Sequence, residues 1–256
     1  REEALLTGDT DIVLTRPMRL FTLHGAVETV LTDNAFLTET GPITDAYVEA
    51  QVGLGIGTRI GGKVDLFADA GLVSVRYFDA ETLDYSALTG LIGAAVSVGP
   101  VRLSTMYQPV IGFERDFTSR QLTTHRLQLA ASMPFALGPA VAEPRLAVER
   151  TLASPSDYEA WSGGAGLSVT MPVSRTVPLL VYTSADYQRR EFDAYFPGLL
   201  GVDRKDDVLS VGAGVVWRPT GWGEVRAGWQ FQRNWSTSDV NRYQAHSGNL
   251  GISARL

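Results

Sequence analysis

The sequence predicts an all-β fold: a transmembrane, antiparallel, up-and-down β-barrel of about twelve strands. Three observations predict it. Apolar and polar side chains alternate with a period of two along nearly the whole chain, the alternating segments are long, and short connections alternate with long ones.

The alternation is clearest from Glu224 to Trp235. One face carries Glu224, Arg226, Gly228, Gln230, Gln232 and Asn234; the other carries Val225, Ala227, Trp229, Phe231, Arg233 and Trp235. A strand separates these two sets fully, whereas a helix would mix them. The same pattern places strands near 19–34, 44–60, 62–78, 86–98, 101–115, 121–134, 141–153, 158–171, 177–191, 207–218, 223–236 and 243–256. A tilted crossing of a bilayer needs about 9–11 residues, and each segment supplies that.

The connections after the even strands are short and rich in turn formers: Ile60-Gly61-Gly62, Val98-Gly99-Pro100, Ala136-Leu137-Gly138-Pro139, Pro172-Val173-Ser174-Arg175 and Pro219-Thr220-Gly221-Trp222. Those after the odd strands are longer and polar, as in 32–44, 78–86 and 191–207. Short periplasmic turns opposite long outer loops are the pattern of outer-membrane barrels. A soluble sandwich would also alternate, but it would turn an aliphatic face inward and would seldom use a dozen strands of this length.

Composition excludes other classes. The longest apolar run, 88–101, holds Gly90, Gly93, Gly99 and Pro100 and is too short to cross as a helix, which needs about 20 residues. The absence of cysteine agrees with export through an oxidising compartment. A net charge of −6 argues against a nucleic-acid partner. The expected partners are outer-membrane lipid and, in one reading, a periplasmic or surface protein; the barrel itself is expected to be monomeric. Residues 1–17 lack alternation and are read as a periplasmic lead-in, with the barrel over 18–256.

Aromatics near strand ends suggest two interfacial belts. Tyr77, Phe78, Tyr85, Tyr158, Trp161, Tyr187 and Trp235 fall near the loop side, and Phe135, Trp217 and Trp222 near the turn side.

With the apolar face against lipid, the lumen receives Glu28, Glu49, Arg59, Lys63, Asp65, Asp69, Arg102, Arg126, Arg145, Glu149, Asp186, Arg190, Arg218, Glu224 and Arg226, together with His24 and Arg255. Buried charges must be paired or wet. The set therefore describes either a salt-bridged interior or a hydrated pore whose selectivity these groups set. Inward glycines such as Gly53, Gly166, Gly214 and Gly228 would widen that pore. The stretch Tyr195-Phe196-Pro197-Gly198-Leu199-Leu200 is apolar for a loop; Tyr195, Phe196, Leu199 and Leu200 are expected to fold inward as a constriction or to meet a partner. The loop carboxylates Asp203, Asp206 and Asp207 are expected to stay solvated.

No catalytic residue set emerges. There are three histidines; His246 and Ser247 point to opposite faces, and neither a Gly-x-Ser-x-Gly elbow nor a His-Glu-x-x-His motif occurs. His125 meeting a serine across strands is the one route to a lipid-modifying enzyme. No metal site and no cofactor are expected.

The last fifty residues carry a resemblance. Asp203-Arg204-Lys205-Asp206-Asp207 precedes an alternating strand, followed by Trp217-Arg218-Pro219, Gln232-Arg233-Asn234-Trp235-Ser236 and Arg242-Tyr243. This segment resembles the closing hairpins of proteobacterial β-barrel porin families and of the barrel in surface lipoprotein assembly modifiers. The resemblance identifies the class of barrel; the polar lumen is what is read as a channel or translocation conduit for polar solutes or an extended polymer, with a partner-dependent barrel in a surface-export or envelope assembly as the alternative. The final strand places Gly248, Leu250, Ile252, Ala254 and Leu256 on one face, like an outer-membrane assembly signal, although such signals end in an aromatic residue.

Overall fold

A computed structural model describes residues 20–174, 176–193 and 203–256. The chain forms β1 (Phe21–Thr32), β2 (Asp45–Ile60), β3 (Val64–Tyr77), β4 (Tyr85–Val98), β5 (Val101–Phe113), β6 (Arg120–Ser132), β7 (Phe135–Leu137), β8 (Ala140–Ser154), β9 (Ala160–Pro172), β10 (Leu179–Phe192), β11 (Lys205–Trp217), β12 (Gly223–Ser236) and β13 (Tyr243–Arg255). Twelve of these make the wall; β7 is a three-residue extension. Each wall strand pairs antiparallel with its neighbours. β1 closes on β13 from His24↔Arg255 to Thr32↔Ser247, and β6 closes on β8 from Thr123↔Ser154 to Ser132↔Arg145. Closure leaves no unpaired edge, which is the condition for a sheet to sit in hydrocarbon.

Register fixes which side of the wall each residue faces. On β1, Leu23, Val27 and Leu31 are exposed outward, while Thr22, Val30 and Thr32 are buried inward. The outward set continues through Val52, Leu54, Ile56, Leu72, Ile92, Leu129, Leu146, Leu167, Leu250 and Ile252, all exposed to the surroundings of the barrel. An exposed aliphatic band around a closed sheet is the inverse of a soluble barrel, and hydrocarbon is the solvent that suits it. Charged outward side chains on the described strands lie toward the loop ends, among them Arg76, Arg150, Arg189, Glu191, Lys205, Asp207 and Arg233. The apolar band therefore reaches down to the turn end and stops short of the loop end.

The turns follow local chemistry. Val98 pairs with Val101 across Gly99-Pro100, and Gly99 takes a φ of 61°, a left-handed conformation that costs glycine little. Residues 135–142 differ from the short turn expected there. Pro134 breaks β6, but the chain resumes as β7, which pairs with β8 from Phe135↔Ala142 to Leu137↔Ala140 and carries the hairpin past the wall. A second proline interrupts the wall itself. The β4–β5 ladder lacks partners at Gly90 and Leu91 opposite Gln108 and Pro109, because Pro109 has no N–H to donate.

The aromatic belts are only partly as expected. Phe78, Trp161, Tyr187 and Trp235 are exposed near the loop ends, and Phe135, Trp217 and Trp222 near the turn ends. Tyr77 and Tyr85 instead face inward, Tyr85 buried; Tyr47 and Tyr77 pack with ring centroids 4.8 Å apart. Both are odd-numbered residues on strands whose odd positions point into the lumen, so strand-end location alone misplaced them.

Candidate functional site

The interior is built in three levels. At the turn end, the buried Asp65 carboxylate lies between two guanidiniums, with Arg59 at 2.5 Å and Arg102 at 3.2 Å. Arg218 donates to Glu224 at 2.9 Å, and Arg255 reaches Thr22 at 3.5 Å. Lys63 sits in the β2–β3 turn. These groups ring the turn-side mouth because each occupies the first or second inward position of its strand, or the turn beside it.

At mid-height, His24 and Asp69 meet at 2.7 Å, and Arg145 donates to Gln128 at 2.5 Å. Asn249 donates to the Glu28 carboxylate, and Glu28 stands directly opposite Glu49 in the β1–β2 register. Like charges opposite one another disfavour a sheet. Asp186 and Arg145 flank Gly166 from either side. Most inward groups here are half-exposed, and Gln51 and Gln230 are exposed, so this level is lined by polar groups in contact with solvent.

The inward glycines act by accepting side chains laid flat on the wall rather than by leaving gaps. A Cβ at Gly53 would overlap the His24 ring, one at Gly93 the Phe67 ring, one at Gly214 the Tyr182 phenol, and one at Gly166 the Asp186 carboxylate. Rings and carboxylates that would otherwise project across the lumen lie tangentially instead.

The loop end differs from both other levels. Each wall strand buries an inward side chain close to this end: Thr32, Asp45, Val75, Tyr85, Val110, Leu122, Thr151, Ala160, Phe192, Asp206, Asn234 and Tyr243. They form a packed collar, part apolar and part polar. At this end apolar side chains therefore share the interior with polar ones. The collar also holds a knot that corrects the reading of Asp206 as a solvated loop residue. Asp206 has no exposed surface and accepts from Arg204, Ser236 and Asn234, while the Arg204 guanidinium stacks over the Phe192 ring at 4.1 Å. β11 begins at Lys205, so Asp206 is an inward strand residue; Asp207, one residue on, turns outward and accepts from the Tyr187 hydroxyl at 2.5 Å. Asp203 is exposed.

Within the collar, Arg126 approaches Glu149 at 3.5 Å, and Arg190 donates to Gln188 at 2.9 Å. Arg226 lies inward on β12 opposite Gly251. The register thus brings the sequence-predicted lumen residues onto one interior surface, in several separate clusters. Tyr195, Phe196, Leu199 and Leu200 lie outside the described residues, as does the 1–17 segment. Tyr158, read as an interfacial aromatic, lines a small void inside the collar together with Arg126 and Arg190. The sequence signal for the Asp206 knot was the order Arg204-x-Asp206 with polar Asn234 and Ser236 two apart on the next strand.

The histidine route to catalysis is not assembled. His125 faces outward and bonds the Tyr107 hydroxyl at 2.7 Å, with the two rings stacked at 6.0 Å. No cluster of three or more metal-ligating side chains occurs among the described residues.

No protein-family model matches the chain, and no curated protein matches it. Solved structures do. An outer membrane channel from Pseudomonas putida F1 superimposes with a TM-score of 0.63 at 12% identity, covering 97% of this chain and 99% of that one. LpxR from Salmonella typhimurium gives 0.52 at 12% identity, over 89% and 99% of the two chains. The translocator domain of the autotransporter NalP from Neisseria meningitidis gives 0.51 at 14% identity, over 93% and 89%. Identity at this level speaks to the fold. Closure of the sheet, the outward aliphatic band and these likenesses agree: the chain has the fold of the bacterial outer-membrane β-barrels, with twelve wall strands.

Proposed function

We propose that the barrel is a channel for polar solutes, wetted from the turn end through mid-height and narrowed by the loop-side collar. The observation that carries this reading is the mid-level lining. Glu28, Glu49, Asp69, Arg145, Asp186 and Arg226 line an interior where side chains lie flat on glycine rather than filling the space. A barrel of twelve strands falls between the filled eight-stranded barrels and the open porins of about sixteen to eighteen, so a narrow path is what its size allows. The Glu28–Glu49 opposition supports a selective role, because two carboxylates side by side on the lumen wall make the local potential negative and favour cations.

The test is single-channel recording of the purified barrel in a planar bilayer under a salt gradient. Stepwise current is expected, with the reversal potential moving toward anion preference in the Glu28→Gln/Glu49→Gln double variant. A folded, inserted protein that passes no current would overturn the channel reading. Current with an unchanged reversal potential would remove these two residues from selectivity.

A further inference from the structure

Separately from the channel reading, we infer that the outer wall carries a groove across β12, β13, β1, β2 and β3 that seats one acyl chain of a phospholipid from the turn-side leaflet.

The groove has a volume of about 720 Å³ and crosses these five strands between Trp222 at the turn end and Phe117 at the loop end. Register explains its course. Gly223, Ala254, Gly25, Val52 and Leu72 pair in turn from strand to strand, which makes them one continuous outward row. A second row, starting at Val225 and Ile252, runs beside it, two residues nearer the loop end on each strand. The first three positions of the first row carry nothing larger than a methyl group, and the wall is recessed there. Gly25 is unlike the inward glycines. Apart from its chain neighbours, a Cβ there would meet only the Gln51 carbonyl oxygen, at an ordinary 3.4 Å, so no described side chain fills the space beside it.

The groove opens within the aliphatic band that already faces hydrocarbon, so the bilayer supplies its contents. Four steps between its five strands, at about 4.8 Å each, make it about 19 Å long. Barrel strands are tilted, so this path is oblique, and the hydrocarbon of one leaflet is about 15 Å deep; an extended acyl chain spans the groove from end to end. The two ends differ. Trp222, 55% exposed, stands where an indole meets headgroups, and its turn, Pro219-Thr220-Gly221-Trp222, carries no charge. At the other end Phe117 packs on Phe113 with ring centroids 5.4 Å apart. Its loop holds Glu114 and Asp116 beside Arg115, which is already engaged by Asp84 at 3.6 Å and Glu81 at 3.9 Å. Carboxylates there repel a phosphate. The headgroup therefore lies at Trp222, and the chain end lies under Phe117.

The experiment is native mass spectrometry of the detergent-purified barrel titrated with dipalmitoyl phosphatidylethanolamine, alone and against lipid A. One phospholipid is expected to bind saturably, with no displacement by lipid A. Gly25→Leu fills the recess and should weaken binding about tenfold, the worth of roughly two methylenes excluded from the wall. Ala185→Leu, on the outward face of β10, should bind as the unaltered protein does. Should Gly25→Leu fail to fold, Ala254→Leu takes its place with the same expectation. Absence of saturable phospholipid binding, displacement by lipid A, or equal binding in Gly25→Leu and Ala185→Leu would overturn the site. So would a lipid-free dimer that Gly25→Leu dissociates, since the groove would then hold a second copy of the chain.

Discussion

The Arg204 guanidinium grips the Asp206 carboxylate, with Nη2 at 2.5 Å and Nε at 3.1 Å from the same oxygen, and neither residue has more than 6% of its side chain exposed. The pair ties the approach to β11 to β12 through Asn234 and Ser236, at the level where the lumen closes in.

Removing one partner of a buried ion pair strands the other. Asp206→Ala is expected to destabilise the barrel by about 3–5 kcal/mol, since Arg204 would remain buried without its carboxylate. Loss of the heat-modifiable band at a lower temperature on unboiled gels would register it. Asp206→Asn, which keeps the shape and part of the hydrogen bonding, should fall between the two.

The facing of the wall predicts a sharp contrast between neighbours in sequence. Leu250 is 61% exposed on the outward side, and Asn249 beside it points inward. Leu250→Arg is expected to cost about 2–4 kcal/mol if it lies near the bilayer centre, and less toward either interface. Asn249→Arg should fold into vesicles with little loss. Folding yield into lipid as a function of urea separates the two; equal losses would contradict the assigned faces.

Glycine at position 93 predicts a change of lumen width. Gly93→Ala sets a methyl group where the Phe67 ring lies, and the Thr105 carbonyl stands 2.9 Å from the new Cβ. The ring must leave the wall and enter the lumen. Overpacking of this kind costs roughly 1–3 kcal/mol. If the channel reading holds, single-channel conductance should fall in Gly93→Ala and recover in the Gly93→Ala/Phe67→Ala double variant.

One loop contact predicts a pH response. Asp193, just beyond β10, accepts from Arg150 at 2.5 Å, and this bond holds its carboxyl below the ordinary carboxylate range. A carboxyl whose folded-state pKa is depressed contributes stability above its unfolded value and loses it as pH falls through the folded one. The contact should therefore be intact at neutral pH and fade below about pH 4. Carboxyl-carbon NMR of Asp193 is expected to titrate below a reference aspartate, and to return to it in Arg150→Gln.

Much of the fold was legible because its cause is local. Period-two alternation from Glu224 to Trp235 needs only the geometry of an extended chain, and the Gly99-Pro100 turn needs only the conformations those two residues allow. The same holds for inward placement of Glu28, Asp69 and Arg226, which parity alone decides. Position along a strand does not decide the side a residue faces: Tyr77 and Tyr85 lie at strand ends, but their parity turns them inward. Asp206 stands in a charge-dense stretch that resembles a solvated segment, yet it is an inward strand residue. Pro134 ends one ladder without preventing the next, which is β7.

The sequence by itself determined that this chain alternates, spans a dozen times and turns back between successive spans, because those properties follow from residues within a few positions of each other. Only the tertiary structure decided which charges meet. His24 with Asp69, Arg102 with Asp65, and Arg126 with Glu149 all depend on the register between strands and on closure of the sheet. Neither is encoded in any single strand, since closing the barrel sets every neighbour's height at once.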